Sequence, residues 1–263
     1  MFSFFSSANP WLVGIGLNTI LLSLVWFAPK KLLTPAGILH AWLLGVLIWG
    51  TLGWQGYVVV GFYFLVGSGV TRIGMAEKEA QGIAEKRSGA RGPENVWGSA
   101  LTAALCAVGL GLINSGLIPS SQLPVSHLQS LLLLGYVASF STKLSDTCAS
   151  EVGKAYGQRT FLITTLQPVP RGTEGAVSLE GTLAGVVASV AIAILGWGVG
   201  LLQPLGIVWC VLAALIATNL ESVIGATVQA EYTWLTNEVV NIINTLIGAI
   251  AAMLFAFIWI SLQ

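Results

Sequence analysis

The residues with the most chemistry to offer lie between positions 139 and 182, SFSTKLSDTCASEVGKAYGQRTFLITTLQPVPRGTEGAVSLEGT, where charges, hydroxyls and glycines crowd into an otherwise apolar chain. On a helix Lys143, Asp146 and Ser150 share one face by three- and four-residue spacing, and Thr147, Glu151 and Lys154 share a neighbouring one. Asp146 and Glu151 stand roughly 140° apart around an ideal helix. A straight helix therefore does not bring both to one metal ion, but each can hold a cation or orient a substrate oxygen. Pro168, Pro170, Gly172 and Gly175 then define a loop that exposes Arg171 and Thr173 and can turn backbone N–H groups toward an anion. Gly181 and Thr182 open the next helix, whose N-terminal dipole favours a phosphate.

Two other segments carry polar groups where lipid would reject them. Asn219, Glu221 and Ser222 fall near the end of an apolar run, and a carboxylate there costs several kcal/mol unless compensated. Asn237, Asn241, Asn244 and Gly248 recur at helical spacing, with Glu238 beside them. Such a stripe faces either neighbouring helices, as hydrogen-bonding glue, or a wet cavity. Combined, these groups describe a pocket of carboxylates, amides, cations and a glycine-rich loop. Carboxylates suit Mg²⁺, and cations with backbone N–H groups suit phosphates. Phosphoryl transfer needs mainly positioning and charge neutralisation, which this set can supply. A lipid-borne substrate would enter sideways from the membrane.

The elements that must position these residues are transmembrane helices. Of 263 residues, 55% are hydrophobic and 8% charged, and the mean hydropathy is +0.84; soluble domains carry about 25% charged residues. The fold expected is all-α and polytopic, a single transmembrane domain over 1–263. Apolar runs near 10–28, 36–53, 54–71, 97–118, 127–143, 180–202, 204–223 and 239–260 give about eight spans. The second and third meet at Gly53-Trp54-Gln55-Gly56 and the sixth and seventh at Gln203-Pro204, as tight hairpins. The fifth is short and partly buried in the bundle.

All Lys and Arg residues fall in three connections: Lys30 and Lys31; Arg72, Lys78, Lys86, Arg87 and Arg91; and Lys143, Lys154, Arg159 and Arg171. The positive-inside rule makes these cytoplasmic and puts both termini on the other side. Residues 72–96 form a charged cytoplasmic loop, read as a solvated amphipathic helix closed by a turn at Gly89–Pro93. Residues 143–179 form a second loop that carries the main motifs. Tryptophans near span ends, such as Trp11, Trp49, Trp54, Trp97 and Trp197, read as interfacial anchors.

Several function classes are excluded. The 11 basic and 11 acidic residues cancel, which argues against nucleic acid as a partner. Cys106, Cys148 and Cys210 are widely separated, which suits small apolar side chains and not disulfides or a thiolate metal site. There is no G-x-x-x-x-G-K-[ST] loop, and His40 and His127 alone support neither a histidine metal centre nor a Ser-His-Asp triad. The first 29 residues lack Lys and Arg, so the first apolar run reads as a retained span and not a signal peptide. Gly181 and Gly185 read as helix-packing positions.

Asp146-Thr147 with Ser150-Glu151-Val152-Gly153, Arg171-Gly172-Thr173-Glu174-Gly175-Ala176-Val177-Ser178 leading to Gly181-Thr182, Ser222-x-x-Gly225-Ala226-Thr227-x-Gln229, and Asn237-x-x-x-Asn241-x-x-Asn244-Thr245 form an ordered set. Over most of residues 40–260 this set resembles the phytyl-phosphate kinase family of plants and cyanobacteria, which includes transmembrane protein 19; Arg72-x-Gly74 and the region Arg87 to Arg91 are similar too. The resemblance implies an enzyme that phosphorylates an isoprenoid monophosphate, phytyl phosphate being the best-known substrate, with a nucleoside triphosphate, CTP by implication, as donor. It implies a product that feeds tocopherol, phylloquinone or chlorophyll synthesis, in a bacterial inner membrane or a thylakoid membrane. By the same resemblance Asp146, Glu151 and Glu221 are the Mg²⁺-binding or substrate-orienting carboxylates, and Lys143, Lys154, Arg171 and Arg72 neutralise phosphates. Gly172, Thr173, Gly175 and Ser178 form the phosphate loop, while Asn237, Asn241 and Asn244 hold the acceptor phosphate or a metal-bound water. The chain departs from the family pattern in reading Pro170-Arg171-Gly172-Thr173 for Pro-Gly-Thr, and Glu221-Ser222 for Asp-Ser.

Two rival classes use similar groups. A transporter or flippase of a phosphorylated isoprenoid would line a pathway with polar residues at mid-membrane and on both sides. A cytidylyltransferase would make a CDP-lipid and release pyrophosphate.

Overall fold

Proline and capping side chains set where the helices begin. Pro10, Pro35, Pro93 and Pro204 occupy first-turn positions, where a missing N–H costs nothing. Asn9, Thr34, Ser178 and Thr236 each accept a hydrogen bond from a backbone N–H of the first turn that follows. The computed structural model describes residues 9–28, 31–117, 124–229 and 231–262; Lys30 lies outside them. Within these residues run α1 (Pro10–Trp26), α2 (Pro35–Thr71), α3 (Met75–Ala80), α4 (Pro93–Asn114), α5 (Val125–Tyr156), α6 (Leu179–Gly198), α7 (Pro204–Thr227) and α8 (Asn237–Ser261). Between α5 and α6, β1 (Thr160–Leu162) and β2 (Ala176–Ser178) pair antiparallel, Phe161 opposite Val177. This small sheet is an addition to the all-α expectation. Among the described residues five helices, α2, α4, α6, α7 and α8, are long and apolar enough to cross a membrane.

Helix α2 has 37 residues, about 55 Å at 1.5 Å per residue, too long for one crossing of about 30 Å. It does not run straight. Gly53 adopts φ 65° and ψ −157°, a conformation only glycine takes without strain, and the chain folds back there. Trp49 and Tyr57 consequently meet edge to face at 5.3 Å, although eight residues of straight helix would part them by about 12 Å. Arms 35–52 and 54–71 are thus the hairpin that the Gly-Trp-Gln-Gly sequence predicts. Asn18 of α1 ties the hairpin down: its Oδ1 accepts from the Tyr57 hydroxyl at 2.9 Å.

Helix α5 is the largest difference from the sequence expectation. Instead of a span over 127–143 followed by a loop from 143, it runs 32 residues to Tyr156, and the loop begins at Gly157. Residues 134–146 are buried without interruption, because α2, α4, α6, α7 and α8 surround the helix. Protein, and not lipid, solvates its polar stretch. The hydroxyls of Ser139 and Ser141 donate to the carbonyls of Tyr136 and Ser189 at 2.8 and 3.2 Å. Helix α6 lies tightly on α5 because Gly181 and Gly185 leave room: a Cβ at Gly181 would come within 2.5 Å of the Ala149 carbonyl, and one at Gly185 within 3.0 Å of that of Ser145. Helices α4 and α8 are joined by a Thr102–Thr245 hydroxyl contact of 2.9 Å.

Candidate functional site

The polar ends of α5, α6, α7 and α8, with loops 85–91 and 172–178, enclose a cavity of about 250 Å³. Helix α5 supplies its base. Lys143 and Asp146, one turn apart, form an ion pair, and both are over nine-tenths buried. The Lys143 Nζ also donates to Asn241 Oδ1 of α8 at 2.6 Å. Glu221 of α7 neighbours the Asp146 carboxyl on the cavity wall, and its Oε2 accepts from Asn244 Nδ2 of α8 at 3.0 Å. Three helices therefore converge on two carboxylates, one ammonium and two amides. The asparagine stripe of α8 faces this cluster because positions 241 and 244 share one helix face. Asn237, at the end of the stripe, accepts from Gln229 Nε2 at 2.5 Å.

Glu151 lines the same cavity but looks elsewhere. It pairs with Lys78 of α3, which also donates to the Thr71 carbonyl at 2.8 Å. Lys154 Nζ stands 3.7 Å from Glu151 and 3.9 Å from Glu85. The helical twist separating Asp146 from Glu151 turns the two toward different neighbours. The expected metal trio Asp146, Glu151 and Glu221 is not assembled: among the described residues no three His, Cys, Asp or Glu side chains converge on a metal position. The carboxylates that do adjoin are Asp146 and Glu221.

The glycine-rich loop forms one wall. Gly172 and Gly175 have φ of 81° and 75°, the left-handed region that glycine enters without penalty. Gly175 is pressed against α7, since a Cβ there would sit 2.6 Å from the Ser222 carbonyl oxygen. This docking turns Thr173 and Glu174 to the cavity. Ser178 also lines it, with its Oγ accepting from the Gly181 N–H at 3.1 Å to cap α6.

A search of protein families matches residues 18–249 to the family described as Integral membrane protein DUF92. An uncharacterized membrane protein of Synechocystis is 67% identical over 94% of this chain and 92% of its own length. The chain belongs to the DUF92 family of integral membrane proteins. Among relatives of this DUF92 protein, Protein VTE6, chloroplastic, of Arabidopsis thaliana is 48% identical over 84% of the chain, which spans 65% of the plant protein's length. An uncharacterized membrane protein of Methanocaldococcus jannaschii is 30% identical over 86% of both chains. No solved structure matches. The DUF92 protein is thus an integral, multi-pass membrane protein with cyanobacterial and chloroplast relatives.

In this DUF92 chain the cavity gathers Lys143, Asp146, Glu151, Lys154, Gly172, Thr173, Gly175, Ser178, Glu221, Asn237 and Asn241 from the expected set. Asn244 stands behind Glu221, 1% exposed. Arg171 and Arg72 are elsewhere. Arg171 donates to the Ala155 carbonyl at 3.2 Å, capping the last turn of α5. Arg72 donates to the carbonyls of Ser68 and Lys31 at 2.9 and 3.0 Å, in a groove shared with Arg87. Both guanidiniums serve backbone oxygens and not the cavity.

Sequence reasoning missed Lys78 and Arg91. Lys78 is 1% exposed, so the solvated-helix reading of 72–96 fails at this position. Its neighbours Glu77 and Glu79 are exposed, and no periodicity in the six-residue α3 marks the lysine as different. Arg91 lines the cavity, donates to the Tyr63 hydroxyl at 2.9 Å and lies 5.0 Å over the Tyr63 ring. The cue for it was its place immediately before Gly92 and the Pro93 that opens α4.

Proposed function

We propose that this protein is a membrane-embedded isoprenoid-phosphate kinase, transferring a phosphoryl group from a nucleoside triphosphate, CTP by resemblance, to an isoprenyl monophosphate such as phytyl phosphate. The adjoining Asp146 and Glu221 carboxylates, with Lys143 held between Asp146 and Asn241, carry the reading. The motif resemblance and the plant and cyanobacterial relatives support it.

Charge decides what must accompany the substrates. The cavity wall holds four cations, Lys86, Arg91, Lys143 and Lys154, against five carboxylates, Glu85, Asp146, Glu151, Glu174 and Glu221. Because Lys78 neutralises Glu151 from outside the wall, the charges balance and leave no positive excess to offset the incoming phosphates, a task that suits a divalent cation. Asp146 and Glu221 fit Mg²⁺, which commonly takes one or two carboxylates and completes its shell with substrate phosphates and water. When bound, the ion supplies neutralisation of the phosphate oxygens between which transfer occurs.

In the reaction, an oxygen of the acceptor phosphate forms a bond to the γ-phosphorus as the β–γ bridging P–O bond breaks, and the nucleoside diphosphate leaves with the electron pair. The second pKa of a phosphomonoester is about 6, so the attacking oxygen is already an anion near neutrality and no general base is needed. Asp146 and Glu221 then position and do not abstract. Lys143 offers its ammonium to phosphate oxygens at the floor, Lys154 and Arg91 offer theirs at the sides, and the Gly172–Gly175 loop restrains the donor phosphates. We further propose eight crossings, with the charged end cytoplasmic and both termini opposite. The cavity's lining is drawn from the charged end of the bundle, whereas a transport pathway would need polar residues on both sides, which disfavours transport.

Purified protein given phytyl monophosphate, Mg²⁺ and each nucleoside triphosphate in turn should yield phytyl diphosphate and the matching nucleoside diphosphate. Pyrophosphate with a CDP-lipid would instead establish the cytidylyltransferase, and no product from any donor would end the kinase reading.

A further inference from the structure

The cavity reaches the side of the bundle as well as its end. Thr182 and Val186 of α6, and Leu215 and Asn219 of α7, all line it. Thr182, Leu215 and Asn219 are also exposed on the outer surface, Leu215 by 40%. Side chains that both line a cavity and face outward mark an opening. Val186 lies eight residues into α6 from Ser178, and Leu215 lies twelve residues before the end of α7 at Thr227. The helical rise places them about 12 and 18 Å below the charged end, within the hydrocarbon layer. Above, the slot is roofed where Gly175 docks on Ser222 and Ala226. Below, it is closed where Leu202 of the α6–α7 turn packs against Gly196 and Gly206.

The cavity's chemistry calls for such an exit, because a lining of charged, amide and hydroxyl side chains suits a phosphorylated head group and not a long apolar polyprenyl chain. A polar group also waits at the inner end of the slot. The Thr218 hydroxyl, between Leu215 and Asn219 in sequence, is buried and has no hydrogen-bond partner among the described residues. It is a donor lacking an acceptor at the junction of head-group site and slot.

We propose that the α6–α7 slot is a lateral portal that binds the linear isoprenoid tail of the acceptor, with Val186 and Leu215 gripping the first isoprene units and the Thr218 hydroxyl donating to the ester oxygen that joins head to tail. This rests on the head-group reading above. Outside the portal, exposed Leu183, Val187, Leu212 and Ile216 continue an apolar surface into lipid, along which the rest of the chain lies. The portal selects extended, flexible tails and accepts varied lengths, because only the first units are enclosed.

The test uses full-length protein in nanodiscs without nucleotide. A geranylgeranyl monophosphate with a diazirine on its second isoprene unit should label residues of α6 and α7 around Val186 and Leu215, and unlabelled geranylgeranyl monophosphate should compete. Labelling concentrated on α4 or α8 would overturn the portal. In a binding assay, Leu215→Trp should weaken geranylgeranyl monophosphate about tenfold and leave soluble methyl phosphate, which has the head group and no isoprene unit, within twofold. Leu254→Trp, on the exposed face of α8 and away from the slot, should change neither. Equal loss of both ligands in Leu215→Trp, or loss of neither, would refute tail binding there. Slot labelling without phosphoryl transfer would retain the portal and reject the kinase.

Discussion

Asn244 holds Glu221 in place: the amide Nδ2 of Asn244 lies 3.0 Å from Glu221 Oε2, and Asn244 itself is 1% exposed. An asparagine that resemblance assigns to the phosphate therefore acts one step back, on a carboxylate. Its Oδ1 is buried without a partner among the described residues, so only one side of the amide is engaged by protein.

Asn244→Leu keeps the volume and removes the donor. Groups that orient metal-binding side chains typically contribute 10- to 100-fold to metal affinity or activity, so the Mg²⁺ concentration for half-maximal transfer should rise by about tenfold or more. A Mg²⁺ titration of Asn244→Leu against wild type checks this. An unchanged titration with a lower melting temperature would reduce Asn244 to packing.

The Lys78–Glu151 pair predicts a different phenotype. With side chains 1% and 3% exposed, removing one partner leaves an uncompensated buried charge, which costs about 3–5 kcal/mol, whereas replacing both with apolar groups is often neutral. Lys78→Met should lower the thermal midpoint sharply, and Lys78→Met with Glu151→Leu should recover most of it. If the double substitution is no better than the single, Glu151 has a role beyond pairing.

Gly175→Ala tests the loop. A positive φ at a non-glycine residue costs about 1–3 kcal/mol, and the new methyl would also meet the Ser222 carbonyl, so the loop should lift from α7. The KM for nucleotide should rise at least tenfold while that for isoprenyl monophosphate changes little. Steady-state kinetics with each substrate varied separates the two.

Gly181→Leu tests the α5–α6 contact. Its side chain would be driven into the Ala149 carbonyl, 2.5 Å from the Cβ position, and overpacking of this kind costs about 1–3 kcal/mol or more. Detergent-solubilised protein should melt earlier, with the acceptor KM raised because α6 borders the cavity. A melting curve that matches wild type would show that the helices separate easily.

Much of this was legible in the sequence because lipid imposes strict rules. The hairpin at Gly53, the turn at Gln203–Pro204 and the stripe from Asn237 to Asn244 follow from length, turn residues and spacing. The extent of α5 did not, since a hydropathy argument assumes that lipid surrounds a span, and around Ser139 to Asp146 other helices do. Arg72 and Arg171 were misplaced for a related reason. An arginine near a phosphate motif and an arginine capping a helix end look alike until the carbonyls of Ser68 and Ala155 are located. Lys78 needed the tertiary contact to Glu151, 73 residues away in sequence but one ion pair in space.

The central claim is that Asp146 and Glu221 position a phosphoryl transfer between nucleotide and isoprenyl phosphate. The most direct measurement follows γ-³²P from the nucleoside triphosphate with wild type and Asp146→Asn, both verified as folded by their melting curves. Wild type should place the label on the terminal phosphate of an isoprenyl diphosphate, and Asp146→Asn should lower that rate by at least a hundredfold. Label that never reaches the lipid, or equal rates in the two proteins, would contradict the account.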